Sequence, residues 1–239
     1  NSTYLYEYKI DSNELNKIAL VENPQENIPK KEKPDFESMT LEKKNISILG
    51  SGSTEYRKKI ISYSLSSLKV KTSDFTKPFD SLMKIGEISR ENFNIEGFIY
   101  SKEKVLLFQR GNGINNKNGV FEIKSDNSKI NFHTIILPKI NEIEASFTDA
   151  ILVDETIYFL ASVENTTSTY DDGEILGTFL GKMKLTDFSI EKTILISDKN
   201  KFEGITLYKK TENNLEFLLC EDNDTALLES NIFKLTIKN

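Results

Sequence analysis

The chain repeats itself, and the repeat restricts its fold more than any other feature. Four segments align on an opening of apolar, polar and small residues: Phe36-Glu37-Ser38-Met39, Ile95-Glu96-Gly97-Phe98, Phe147-Thr148-Asp149-Ala150 and Phe202-Glu203-Gly204-Ile205. Their second positions lie 59, 52 and 55 residues apart. Self-similarity at a nearly fixed period of this size marks a repeat architecture.

The residues after each opening repeat as well. An apolar run ends in polar turn residues: Ile46–Leu49 into Gly50-Ser51-Gly52-Ser53, Val105–Phe108 into Gln109-Arg110-Gly111-Asn112, Ile157–Leu160 into Ala161–Asn165, and Leu215–Leu219 into Glu221-Asp222-Asn223-Asp224. A third strand with period-two alternation comes next, at Ile60–Leu65, Gly119–Ile123, Thr178–Leu185 and Asn231–Ile237. A more polar fourth strand is clearest at Phe132–Leu137 and Ile190–Ile196. Residues 4–10 and 15–21 read as the third and fourth strands of a further unit whose first half is absent.

Four-stranded antiparallel units of this length predict an all-β chain folded as a β-propeller. Four units and a partial one predict five blades, or six if more chain precedes Asn1. The whole chain, 1–239, then forms one domain: an incomplete first blade at 1–21, a Pro-punctuated linker at 22–35, and blades at about 36–80, 92–140, 146–197 and 201–239. Residues 74–84, with Asp74 and Thr76 ahead of Pro78 and an apolar stripe, predict one short helix. An irregular β-sandwich is the competing fold, but it gives no reason for a motif repeated in phase.

Composition narrows the partners. A net charge of −6 with well-mixed signs lacks the basic face of a nucleic-acid binder. No apolar run reaches the roughly 20 residues of a membrane span. A lone cysteine, Cys220, excludes an internal disulfide and leaves a periplasmic, secreted or cytoplasmic location open. The start at Asn1, in mid-pattern, reads as a trimmed N-terminus. A monomer binding a small polar ligand or a protein partner is expected.

Antiparallel geometry turns the repeat into a site. The second strand of a blade ends at the rim where the first began, so acidic openings and polar turns converge. Glu37, Glu96, Asp149 and Glu203 are then expected around one mouth of the central channel, with Arg110, Asn112, Glu164, Asn165, Asp222 and Asp224 beside them. Carboxylates brought that close need compensation. Ca²⁺, which takes six to eight oxygens, is a suitable counter-charge, and the four acids are its candidate ligands. A structural alternative has each Glu accept hydrogen bonds from strand-end amides of a neighbouring blade. Thr148 stands in the Glu column, and Asp149, one residue out of phase, points to the opposite face of a regular strand. His133 is the only histidine and falls in an outer strand, which leaves no material for a His-based triad at the mouth.

The openings Ile95-Glu96-Gly97 and Phe202-Glu203-Gly204, each followed by a strand and a polar turn, resemble those of phytase-like (esterase-like) propellers. More distantly they are similar to gluconolactonase/regucalcin-like propellers, and the whole chain resembles an uncharacterised bacterial propeller family of unknown function. The resemblance implies a divalent-metal ligand at Glu96 or Glu203, with Asn112, Asn165 or Asp222 beside it. The missing tryptophan and the thin supply of basic residues argue against a phytate pocket. Three functions stay open: a binding propeller with a cation or small-ligand site at one channel mouth, a metal-dependent hydrolase of a lactone or phosphoester, and a protein-interaction scaffold.

Overall fold

The period-two segments form strands, and where both faces of a strand are apolar, the fold buries both. The computed structural model describes residues 2–29, 31–101, 103–112, 117–126, 128–166, 173–222 and 229–238. The chain opens with a hairpin of β1 (Tyr4–Lys9) and β2 (Glu14–Ala19). A first four-stranded meander comes next, of β3 (Phe36–Glu42), β4 (Asn45–Gly50), β5 (Lys59–Ser64) and β6 (Val70–Asp74). Helix α1 (Thr76–Gly86) starts where the Asp74 carboxylate accepts the Thr76 N–H at 2.9 Å, and it buries Phe79 and Leu82.

The second meander is β7 (Ile95–Tyr100), β8 (Lys104–Gln109), β9 (Gly119–Lys124) and β10 (Ile130–Thr134). A short hairpin of β11 (Lys139–Ile140) and β12 (Ile143–Glu144) leads to the third, of β13 (Ser146–Val153), β14 (Thr156–Asn165), β15 (Glu174–Lys184) and β16 (Ile190–Ser197). The last sheet has three strands, β17 (Lys201–Lys210), β18 (Asn214–Asp222) and β19 (Ile232–Lys238).

All sheets are antiparallel, and their first strands β3, β7, β13 and β17 lie side by side in that order, as the inner strands of propeller blades do. The core sits between the blades. Leu49 of the first blade packs with Phe98, Leu107 and Phe121 of the second and with Phe79 of α1. Phe108 and Val120 of the second pack with Phe147 and Phe159 of the third. Tyr158, Leu160 and Leu180 of the third pack with Phe202, Ile205 and Phe217 of the fourth. Strand β14 thus buries Ile157, Phe159 and Ala161 on one side and Tyr158 and Leu160 on the other, which explains its unbroken apolar run.

The ring has four blades, where five or six were expected. The hairpin β1–β2 supplies no inner strand. Its residues are mostly exposed, and Leu5 and Leu20 pack against Ile48 and Ile61 of the first blade. Period-two alternation identifies the two strands correctly; it cannot say whether an inner strand exists to place them in the ring. Among the described residues, no contact comparable to those between the other inner strands joins β17 to β3. The ring is therefore open on one side.

Candidate functional site

Each inner strand breaks register at the same place. The ladder skips a residue between Phe36 and Ser38, Ile95 and Gly97, Phe147 and Asp149, and Phe202 and Gly204. The bulged residues are Glu37, Glu96, Thr148 and Glu203, the second positions of the sequence motif. A bulge leaves one residue unpaired and re-aims its side chain, which a regular strand cannot do. The repeated motif is thus the sequence form of a repeated β-bulge.

A chain of ion pairs runs behind the bulges across three blades. Arg110, 8% exposed at the end of β8, donates to Glu96 Oε1 at 3.1 Å and to Glu164 Oε1 of the third blade at 2.5 Å. Lys201 of the fourth blade, 3% exposed, lies 3.3 Å from Glu164 and 2.8 Å from Glu203. Burial disfavours the Arg110 charge, but Glu96, Glu164 and Glu203 outweigh it and raise its affinity for the proton; Lys201 is held likewise by Glu203 and Glu164. In the first blade, Asp35 takes Lys33 and Arg57 as ion partners and the Ser51 hydroxyl at 2.8 Å. Burial opposes the Asp35 charge, yet its bonds with Glu37 and Lys33 keep its pKa below the usual value.

The remaining acids are pushed the other way. Burial, with Glu96 and Asp35 nearby, raises Glu37 well above the carboxylate range. Burial lifts Glu203 to about 7 against the pull of Lys201. It lifts Asp149 to about 8, although that side chain accepts the N–H groups of Ala150 at 2.7 Å and Ile205 at 2.8 Å. The Ile205 bond crosses from the third blade to the fourth, as does the bond from the Thr148 hydroxyl to the Phe202 carbonyl at 2.7 Å.

Glu37, Asp149 and Glu203 line one end of a cleft of about 800 Å³. It runs along the inner strands of all four blades, and residues of β1 form part of its wall. Below the acids the walls turn apolar, with Met39, Leu41, Tyr100, Ile151 and Leu207 among them. No Lys, Arg or His lines the cleft among the described residues.

The residues expected at the mouth are thus divided. Arg110, Glu164 and Glu96 meet in one buried network, while Glu37, Asp149 and Glu203 face the cleft. Asn112 lies at the turn after β8 with a buried amide oxygen that finds no partner among the described residues, and Asn165 is exposed at the end of β14. Asp222 is exposed in β18, close enough to Glu203 to raise its pKa, and Asp224 falls outside the described residues. His133 sits in β10, 3.1 Å from Glu122. A Ca²⁺ cage does not suit the acids as placed: Glu96 is engaged by Arg110 and Asn94, and Asp149 by backbone amides. No group of three or more His, Cys, Asp or Glu among the described residues is arranged to hold a metal ion.

Sequence reasoning misses Lys201, Asp35 and Ser38. Lys201 and Asp35 occupy one column, immediately before the Phe-Glu openings, and polarity there is the available signal. No helix among the described residues is long and apolar enough to cross a membrane.

The profile of a family of unknown function, DUF6929, matches residues 1–237, and the chain belongs to that family. A search of curated proteins gave no match. Among solved structures, a mutant of the Synechocystis apocarotenoid oxygenase is similar at 8% identity and a TM-score of 0.36 over 81% of this chain. The chain spans 47% of that oxygenase, less than half its length. The native Bacillus subtilis arabinanase is similar at 11% identity and a TM-score of 0.36, over 83% of this chain and 92% of the arabinanase.

Proposed function

We propose that this member of the DUF6929 family is a binding propeller whose cleft takes a small amphiphilic molecule, polar end inward. The observation that carries this reading is where the exposed apolar side chains gather. Tyr6, Tyr8, Ile10, Met39, Leu41, Tyr100 and Ile232 are all large, apolar and exposed, and all line the same cleft. Scattered exposed apolar residues need no explanation, but a contiguous set around a concavity marks a binding groove. The acidic groups Glu37, Asp149 and Glu203 gather with Ser38 at the start of the inner strands, and a few polar groups of this kind fix orientation in ligand pockets.

The test uses the absence of tryptophan from the chain. Met39→Trp places a lone indole on the cleft wall, at a side chain already half exposed. Titration with 2-phenylethanol, 2-phenylethylamine and 3-phenylpropionate is expected to shift its emission saturably for at least one of the three. An unchanged spectrum with all three, alongside an unchanged melting temperature, rejects the reading.

A further inference from the structure

We infer that the polar end of the cleft is a site for an organic cation, a primary ammonium on an apolar body, held by Glu203 with the Ser38 hydroxyl. The inference rests on the cleft reading above and adds the charge of the ligand. Two independent observations point to it. The first is charge asymmetry: three carboxyl groups face the cleft, no basic side chain lines it among the described residues, and the nearest buried cations are engaged behind it. Arg110 is held by Glu96 and Glu164, and Lys201 by Glu164 and Glu203. The chain's own cation at Glu203 is thus one that Glu203 shares with Glu164.

The second is Ser38. It is 4% exposed, it lines the cleft, and its Oγ makes no hydrogen bond. A buried hydroxyl without a partner forfeits about 1–3 kcal/mol, so its persistence beside a cleft is explained by a partner that arrives from outside. Ser38 directly follows the bulged Glu37, and Gly204 holds the matching place after Glu203. The hydroxyl and the two glutamates therefore belong to the same bulge level of the first and fourth blades, on the two sides of the gap.

An ammonium suits this end better than the alternatives. It has donors only, which the Ser38 oxygen and the Glu203 carboxylate accept. An anion would find no basic side chain on the cleft lining among the described residues, and a polyol would gain little from the apolar walls at Leu41, Ile151 and Leu207. The tyrosines and Phe36 that line the cleft add ring faces, which attract cations within about 6 Å. Glu203 and Asp149 hold protons until pH about 7 and about 8. Seating an ammonium beside Glu203, with Lys201, Glu96 and Asp222 close by, favours its ionised form and releases a proton to the solvent.

Calorimetry on the full chain with three probes of one body decides the matter: 2-phenylethylamine, 2-phenylethanol and 3-phenylpropionate. The amine is expected to bind roughly tenfold tighter than the alcohol, the difference of one charge-assisted hydrogen bond, and the acid not at all. Glu203→Gln and Ser38→Ala should each weaken the amine roughly tenfold and leave the alcohol unchanged. Ser38→Ala removes an unpartnered hydroxyl, so it is expected to fold at least as stably as the wild type, which keeps the test valid if Glu203→Gln does not fold. Equal binding of amine and alcohol, or an amine indifferent to both substitutions, overturns the cation and leaves the cleft standing. No binding by any probe removes the cleft reading and the cation together.

Discussion

Arg110 shows how much a single residue carries in this fold. It touches acids from two blades and has almost no access to water. Removing one partner of a buried ion pair leaves the other charged and unsolvated, at a cost of about 3–5 kcal/mol. Arg110→Met is therefore expected to lower the melting temperature by on the order of 10 °C, read by circular dichroism. A shift within a degree or two would mean that Glu96 and Glu164 find other partners. Asp149 makes a second prediction, in pH. The folded chain keeps its proton to about 8, whereas an unfolded chain releases it near the ordinary carboxylate value of about 4. Between those values the folded state binds more protons, so stability from this group is complete at the acid end and lost as pH rises toward 8. Melting temperature should fall across that window, and Asp149→Asn should flatten the slope. An equal slope in both proteins would show that other groups set the pH response.

At the scale of the element, the blade is built around register. Phe159 of β14 lies opposite Gly181 of β15, and its ring covers the glycine so closely that a Cβ there would stand 1.9 Å from the ring edge. The same ring packs edge-on against Phe147 at 5.2 Å. Gly181→Ala must displace it, with an overpacking cost of about 1–3 kcal/mol seen as a lower urea midpoint with an unchanged slope. An unaltered midpoint would mean that the ring rotates freely into new space. Register also explains which parts of the site are legible in the sequence. The alignment of Glu37, Glu96, Thr148 and Glu203 is visible because a bulge must recur at one place in each unit, and it holds even where Thr148 replaces Glu. Alternation predicts that Asp149, next in line, faces away. It reaches the cleft because the bulge at Thr148 resets the phase of the strand. Lys201 and Arg110 are visible as charges, but their pairing with Glu164 joins residues 37 and 54 positions apart, which no local pattern encodes.

For the whole molecule, the boundary between ring and appendage matters most. The hairpin β1–β2 reads as part of a blade because its alternation is that of a blade, but it forms a separate two-stranded sheet with no inner strand. Its attachment depends on a small cluster around Leu20, which is 2% exposed among Ile48 and Ile61. Few buried apolar contacts predict a low local free energy of opening. Leu20→Ala, with a core truncation cost of about 2–5 kcal/mol, should speed amide exchange across residues 4–19 while β13–β16 keep their protection. Uniform loss of protection across all sheets would instead make the hairpin part of the cooperative unit.

The missing joint between β17 and β3 has a mechanical consequence. Three apolar seams fasten the four blades in series, and the first and last blades meet no fourth seam among the described residues, so the assembly behaves as a split collar. Small tilts at each seam add up at the mouth of the split, where Glu203 and Ser38 stand on opposite lips. Filling the split is therefore expected to narrow the spread of these tilts, a change to be sought in the radius of gyration measured with and without a bound amine.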